Sequence, residues 1–277
     1  MTRAWTWWVD RVDRLEDATP LLWVRVLVPL AIVGDLLAMA WHSALRAVLL
    51  PRELGGIGGT PAPWSLLDGW AWAGPALWAT CLVAMPLVSA GIATRPALIV
   101  GVIAHAQLGH LFVPGDRGID RLLRTVLLIL LFSDVTARQR PARIRAWAGD
   151  LLRWLLVVVY LAAGLAKVEV LSSWLDPELP ELFTILCDPL AGRLDPAFWW
   201  PVRSAFVIGG AGTLVFELGA PVLLTRWGPW WALFGAAMHL GIALSMDLGM
   251  FSWGMLATYP VLMARWIPRW RGSTVPG

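Results

Sequence analysis

Lys167 is the only lysine in a chain with 21 arginines, and it closes the uncharged run Tyr160-Leu161-Ala162-Ala163-Gly164-Leu165-Ala166-Lys167. Desolvation disfavours the charged form of an amine, which makes a buried lysine a candidate general base. Tyr160 stands two helical turns earlier and so shares its face. The small residues Ala163 and Gly164 leave room for a second helix to approach. A structural alternative stays open: Lys167 snorkels to the membrane surface or pairs with Glu169 or another acid.

Other ionisable groups sit in apolar surroundings, where they are costly and default to functional candidates: Asp35, His105, His110, Glu217, His239 and Asp247. Glu217 precedes Pro221 by four residues, so the proline ring removes the helical partner of the Glu217 carbonyl and kinks the chain. The carboxylate then either lines that kink or pairs with an arginine such as Arg25, which could equally snorkel. His105 and His110 are separated by about 140° on a helix, and no HxxxH or HxxE pair occurs, so no metal site is expected. The alternative for each of the four histidines, 42, 105, 110 and 239, is a hydrogen-bonded residue of helix packing. Hydrolase, nucleotide-loop and zinc-protease signatures are missing, and Gly55-Gly56-Ile57-Gly58-Gly59 reads as a turn.

The elements that must position these groups are membrane spans. The chain has 277 residues, 58% of them apolar and only 15% charged, with 20 tryptophans and a mean hydropathy of +0.66. Its apolar residues form long uncharged blocks, the pattern of helices that cross a bilayer. The expected fold is therefore all-α: a polytopic transmembrane helix bundle of about eight spans, with seven to nine in range. These are 21–42, 72–94, 97–113, 119–135, 151–171, 202–225, 229–246 and 249–266, the fourth weakened at its start by Arg121 and Arg124. Residues 1–19 read as an N-terminal amphipathic interfacial helix, with Trp5, Trp8, Val9, Val12 and Leu15 on one stripe. Residues 20–268 form a single transmembrane domain and 269–277 a short cytoplasmic tail.

Arginine placement orients the bundle. The cluster Arg138, Arg140, Arg143, Arg145 and Arg153 belongs in the cytoplasm, and an even span count places both termini there too. The connection after the fifth span carries Asp176, Glu178, Glu181, Asp188 and Asp195 against Arg193 and falls outside. Lys167 then lies in the outer half of its span. The arginine bias points to a high-GC bacterium, and the location to the bacterial inner membrane, multi-pass, with the lipid bilayer as first partner. Nucleic acid is excluded as a partner, since no face collects the basic residues. Cys81 and Cys187 support neither a disulfide framework nor a CxxC site.

Two runs carry a family resemblance. Tyr160-x-x-Ala163-Gly164-x-x-Lys167 followed by Trp174 is one; His239-Leu240-Gly241-Ile242-Ala243 followed by Leu248-Gly249-Met250-Phe251-Ser252 is the other. Weaker echoes are Arg25, Asp120-Arg121-Leu122-Leu123-Arg124 and Glu217. Together they cover nearly the whole chain, which resembles the horizontally transferred transmembrane domain (HTTM), the bacterial relatives of vitamin K-dependent gamma-carboxylase. The resemblance implies that Lys167 is the catalytic base acting on a reduced menaquinone or vitamin K-like quinol. In the carboxylase, oxygen turns the quinol into an epoxide through a strong base that deprotonates glutamate, to which carbon dioxide adds. The implied cofactor-binding residues are Tyr160, His110, His239, Trp174 and Phe251, and the implied substrate is a secreted or membrane peptide. The chain departs from the carboxylase in ending soon after its eighth span. It also departs in reading Gly118-Ile119-Asp120 where the carboxylase has a histidine before the fourth.

Two other functions stay open. One is a non-enzymatic membrane scaffold or accessory protein for maturation of, or immunity to, a secreted peptide, in which Lys167 is a structural ion-pair partner. The other is a quinone-reactive electron-transfer subunit, which would need a redox partner because the chain has no haem or iron–sulfur ligand pattern. A transporter is the weakest reading, because no broken helices stand in corresponding halves.

Overall fold

The computed structural model describes residues 6, 9–10, 12–42, 44–50, 55–56, 65–66, 70–136, 142–189 and 192–266. These residues are mostly helical and divide into two compact units, one up to Gly149 and the other over Asp150–Ile267.

The first unit opens with a departure from expectation. Thr6, Val9, Asp10, Val12 and Asp13 are helical, but β1 (Leu15–Asp17) is a short strand antiparallel to β2 (Arg143–Arg145). Leu15 faces Arg145, Glu16 faces Ile144 and Asp17 faces Arg143. The interfacial helix expected over 1–19 therefore does not reach its end. Trp5 and Trp8, two of the five residues of its apolar stripe, lie outside the described residues, as does the tail 269–277. Pro20 at the start of the next helix forces a new beginning, and the Asp17 carboxylate accepts the Thr19 N–H at 2.8 Å to make it.

That helix, α1 (Thr19–Trp41), is followed by the short α2 (Leu45–Leu49), α3 (Ala73–Ala90), α4 (Thr94–Leu111) and α5 (Gly118–Phe132). Leu21, Val24, Arg25, Val28, Ile32 and Leu36 put the buried stripe of α1 at helical spacing, against α3 and α5. At the α3–α4 turn Gly91 adopts φ 77°, which lets its N–H reach Val88 O and the Ile92 N–H reach Leu87 O, a Schellman stop. Hydrogen bonds across helices replace those that lipid cannot offer: Trp78 Nε1 donates to Leu36 O at 3.1 Å and Ser89 Oγ to Val26 O at 3.0 Å. Arg25 does not snorkel. It is buried, and its guanidinium donates to Val135 O at 2.9 Å.

Two ion-pair clusters tie α5 to its neighbours. Arg117 binds Asp35 of α1 at 2.6 Å and Asp120 at 3.0 Å. Asp116 takes Arg124 at 2.6 Å and Arg121 at 2.9 Å. The two arginines that weaken the start of the fourth apolar block are thus matched by one carboxylate in the turn before it.

In the second unit α6 (Trp147–Val168) is followed by the short helices α7 (Leu171–Trp174), α8 (Glu181–Leu186) and α9 (Pro196–Trp199). A 3-10 turn over Trp200–Ala205 leads into α10 (Phe206–Leu218); a second, Ala220–Leu224, precedes α11 (Gly228–Ser245). The last helix is α12 (Phe251–Thr258), continued by a 3-10 turn over Tyr259–Val261. The sixth apolar block is therefore broken at Gly219 rather than continuous to 225, as Pro221 requires. Pro260 ends α12 early for the same reason.

Among the described residues four helical runs are long and apolar enough to cross a membrane: Thr19–Trp41, Ala73–Ala90, Trp147–Val168 and Pro196–Leu218. At 15 residues α5 reaches about 22 Å, short of a hydrocarbon core of roughly 30 Å. Large apolar side chains point away from both units, among them Leu244 (79% exposed), Ile208 (77%) and Phe132 (72%). Such surfaces suit lipid rather than water.

Asp116 supplies a test of the first unit. Burial pushes its carboxyl up, but hydrogen bonds from Arg121 and Arg124 outweigh this and hold it below the ordinary value of 3.8. A lowered folded pKa means that its contribution is complete above the unfolded value and is lost as pH falls through the folded one. Thermal unfolding in nanodiscs should show a Tm that drops steeply below about pH 4. Asp116→Asn should cost about 2 kcal/mol at neutral pH and give a shallower acid limb.

Candidate functional site

The second unit gathers its polar side chains along one face of α6. Gly164 makes this possible. A Cβ there would lie 3.0 Å from Glu217 Cβ and 3.1 Å from the Leu218 backbone nitrogen, so a larger residue would push α10 away by a few tenths of an ångström. One turn on, Lys167 Nζ donates to both Glu217 oxygens, each at 2.8 Å. Trp174, delivered by α7, places its ring 5.2 Å from the same nitrogen. The Lys167 and Glu217 side chains are 21% and 8% exposed, so water competes little for either. Of the partners left open for Lys167, the structure selects an acid, Glu217. Glu217 in turn is matched by Lys167 rather than by an arginine.

Two turns back on α6, Tyr160 joins a buried hydrogen-bonded row. Its hydroxyl lies 2.6 Å from Tyr259 Oη and 2.8 Å from His239 Nε2. Tyr259 sits where α12 gives way to its 3-10 turn, and His239 near the middle of α11. Gly235, one turn before His239, leaves the space that Phe216 and the Tyr259 hydroxyl occupy. The Phe216 ring packs edge-on to Tyr160 at 4.8 Å, 5.6 Å from Phe234 and 6.1 Å from Trp231, whose Nε1 donates to Phe216 O. Phe216 and Glu217 are neighbours, so one turn of α10 serves both clusters.

The row ends in unsatisfied atoms. His239 is 2% exposed and Phe251 packs against its ring at 5.9 Å, yet its Nδ1 has no hydrogen-bond partner. Ser252, beside Phe251, is also buried with an unpartnered Oγ. If Tyr160 donates to Nε2, Nδ1 carries a proton with no acceptor; if Nε2 donates, Nδ1 is a lone pair with no donor. Either state is costly in a dry interior.

Of the residues singled out from sequence, Lys167, Tyr160, His239, Trp174 and Phe251 all lie in this unit, in these two clusters. His110 does not: it belongs to the first unit, where its Nδ1 lies 3.4 Å from Gln107 Nε2. Among the described residues no group of His, Cys, Asp or Glu could hold a metal ion. Tyr259 is a member that sequence reasoning missed, and Ser252 was read there only as part of a motif. The signal for Tyr259 was its rarity: the chain has only 2 tyrosines beside 20 tryptophans, and the two bond to each other. Ser252 stands in the Leu248-Gly249-Met250-Phe251-Ser252 run that carries the resemblance, but the sequence assigned it no role of its own.

Comparison with protein-family models, with curated proteins and with solved structures yields no match to this chain.

The ion pair makes a stability prediction. Lys167→Met strands Glu217 and should lower unfolding stability by about 3 kcal/mol. The double variant Lys167→Met/Glu217→Leu removes both charges and should be more stable than the single one. A thermal-shift cycle over the four forms checks both expectations.

Proposed function

We propose that the chain is a bacterial inner-membrane protein of the HTTM, gamma-carboxylase-like class, with eight spans and both termini in the cytoplasm. In this reading it binds a reduced quinone and uses Lys167 as the base. The observation that supports it is the juxtaposition on α6 of a lysine–carboxylate pair and a buried tyrosine–histidine row with open hydrogen-bonding capacity.

The residues of the row fit such a molecule. His239 Nδ1 and Ser252 Oγ are buried polar atoms lacking partners, and Phe251 beside them offers an aromatic face. His239, Ser252 and Phe251 would hold the quinol, with Tyr160 and Tyr259 fixing the imidazole through Nε2. When bound, the reduced quinone supplies an acidic hydroxyl and a ring that oxygen can oxidise. Lys167 Nζ works as a base only after passing its proton to Glu217, to which it is already hydrogen-bonded through both oxygens. Trp174 and the surrounding apolar side chains restrict water, which would otherwise quench a stronger base. The acceptor in this reading is a secreted or membrane peptide.

A second reading draws on the same ion pair. Two equal hydrogen bonds from one ammonium to one carboxylate also describe a purely structural clamp between α6 and α10, which suits a membrane scaffold or accessory protein.

Purified chain in nanodiscs would be given reduced menaquinone and oxygen, with quinone epoxide followed by mass spectrometry. The wild type should form epoxide, and Lys167→Ala and Lys167→Arg should lower it at least a hundredfold. Binding is read separately: a redox-inert quinol analogue should raise the Tm of the wild type and fail to do so for His239→Phe. Epoxide retained in Lys167→Arg, or a wild type that neither forms epoxide nor responds to the analogue, would favour the clamp.

A further inference from the structure

The first unit contains a separate cavity that none of these roles uses. It has a volume of about 80 Å³ and lies between α1, the α2 turn, α4 and the start of α5. A single water needs roughly 10–15 Å³, so the space takes several waters or one small organic molecule. Leu36, Met39, Leu108 and Phe112 line one side of it; Asp35, Asp116, Asp120 and Arg124 border the other.

The polar border is built rather than incidental. Asp116 is closed by Arg124 and Arg121, while Arg117 bridges Asp35 and Asp120. Gly109 lets the Asp116–Arg124 pair lie against α4, because a Cβ there would stand 2.5 Å from Asp116 Oδ1. Each of the three carboxylates that line the cavity is thus already bound by a guanidinium, Asp116 by Arg124 and Arg121, and Asp35 and Asp120 by Arg117.

Two buried wall atoms have no hydrogen-bond partner among the described residues: Asp116 Oδ1, which has Arg124 Nη2 as its ion-pair partner at 2.6 Å, and His105 Nδ1, which has no ion-pair partner among them. His105 lines the cavity, is 7% exposed, and its Nδ1 has no hydrogen-bond partner. Its backbone carbonyl receives Arg124 Nη1 at 3.4 Å, which fixes the turn of α4 that carries the ring. An anion entering here would meet carboxylates whose arginines are already engaged, and a cation would meet engaged carboxylates beside guanidiniums. An uncharged hydroxyl avoids both penalties and satisfies the imidazole.

We propose that this cavity binds a small uncharged amphiphile, an alcohol or phenol, with its hydroxyl on His105 and its ring or short chain against Leu36, Met39 and Phe112. The site is independent of the quinol reading, since none of its residues takes part in the second unit.

Three fluorinated probes of one shape and different charge test it: benzyl alcohol, benzylammonium and benzoate. Each is titrated against the full chain in nanodiscs by fluorine NMR, with empty nanodiscs subtracting partition into lipid. The alcohol alone should bind saturably. His105→Phe, which keeps the ring volume and removes the nitrogens, should weaken it at least tenfold, and Met39→Phe, which fills the cavity, should do the same. Lys167→Ala should leave it unchanged, which separates this site from the proposed base. His105→Gln keeps a polar group and should retain most of the binding, so the proposal stays testable if His105→Phe does not fold. Absence of saturable alcohol binding would overturn the proposal. So would benzoate or benzylammonium binding as tightly, or alcohol binding indifferent to both the Met39 and the His105 substitutions.

Discussion

A charge removed from water costs several kcal/mol unless a partner is held in place for it, and in this chain that constraint decides where helices can meet. Lys167 is answered by Glu217, and Gly164, one turn before Lys167, leaves α10 room to lie close to α6. The same logic orders the first unit, where Asp116 answers Arg121 and Arg124, Arg117 ties α1 to α5, and Arg25 is spent on the Val135 carbonyl. Glycines recur at these contacts because a matched charge pair is useful only at short range, and short range between helices means little side chain in between.

Chemistry in the second unit follows from what remains unmatched. The two tyrosines and His239 satisfy one another along a row and leave Nδ1 open at its end, with Ser252 open nearby. Interior polar atoms are otherwise paired in folded proteins, which sets these two apart from the apolar packing around them. The Lys167–Glu217 pair, two turns along the same helix, is joined by two hydrogen bonds of 2.8 Å. The His105 cavity shows the same pattern in the first unit, an open imidazole nitrogen inside a closed set of charges.

Local breaks matter as much as spans. Pro221 ends α10 immediately after the turn that carries Phe216 and Glu217, and Pro260 turns the chain just after Tyr259. Both prolines stand next to residues of the candidate site, where the missing N–H and the ring clash stop the helix at a defined position. Pro20 works in the other direction at the start of α1, leaving Leu15–Asp17 free to pair with Arg143–Arg145 as a strand.

Composition and periodicity by themselves determined the helical class, the apolar runs long enough for a bilayer, and the special standing of Lys167 and Tyr160, because a 3.6-residue repeat puts residues two turns apart on one face. The break at Pro221 was legible for the same local reason. Which acid meets Lys167, that Tyr259 completes the row, that Ser252 is left open, and that His110 sits apart with Gln107 were decided only by tertiary structure. The contacts of Lys167 with Glu217 and of Tyr160 with Tyr259 join residues dozens of positions apart in the chain. No local pattern encodes which helix face will be brought against which, since that depends on how closely each pair of helices can approach.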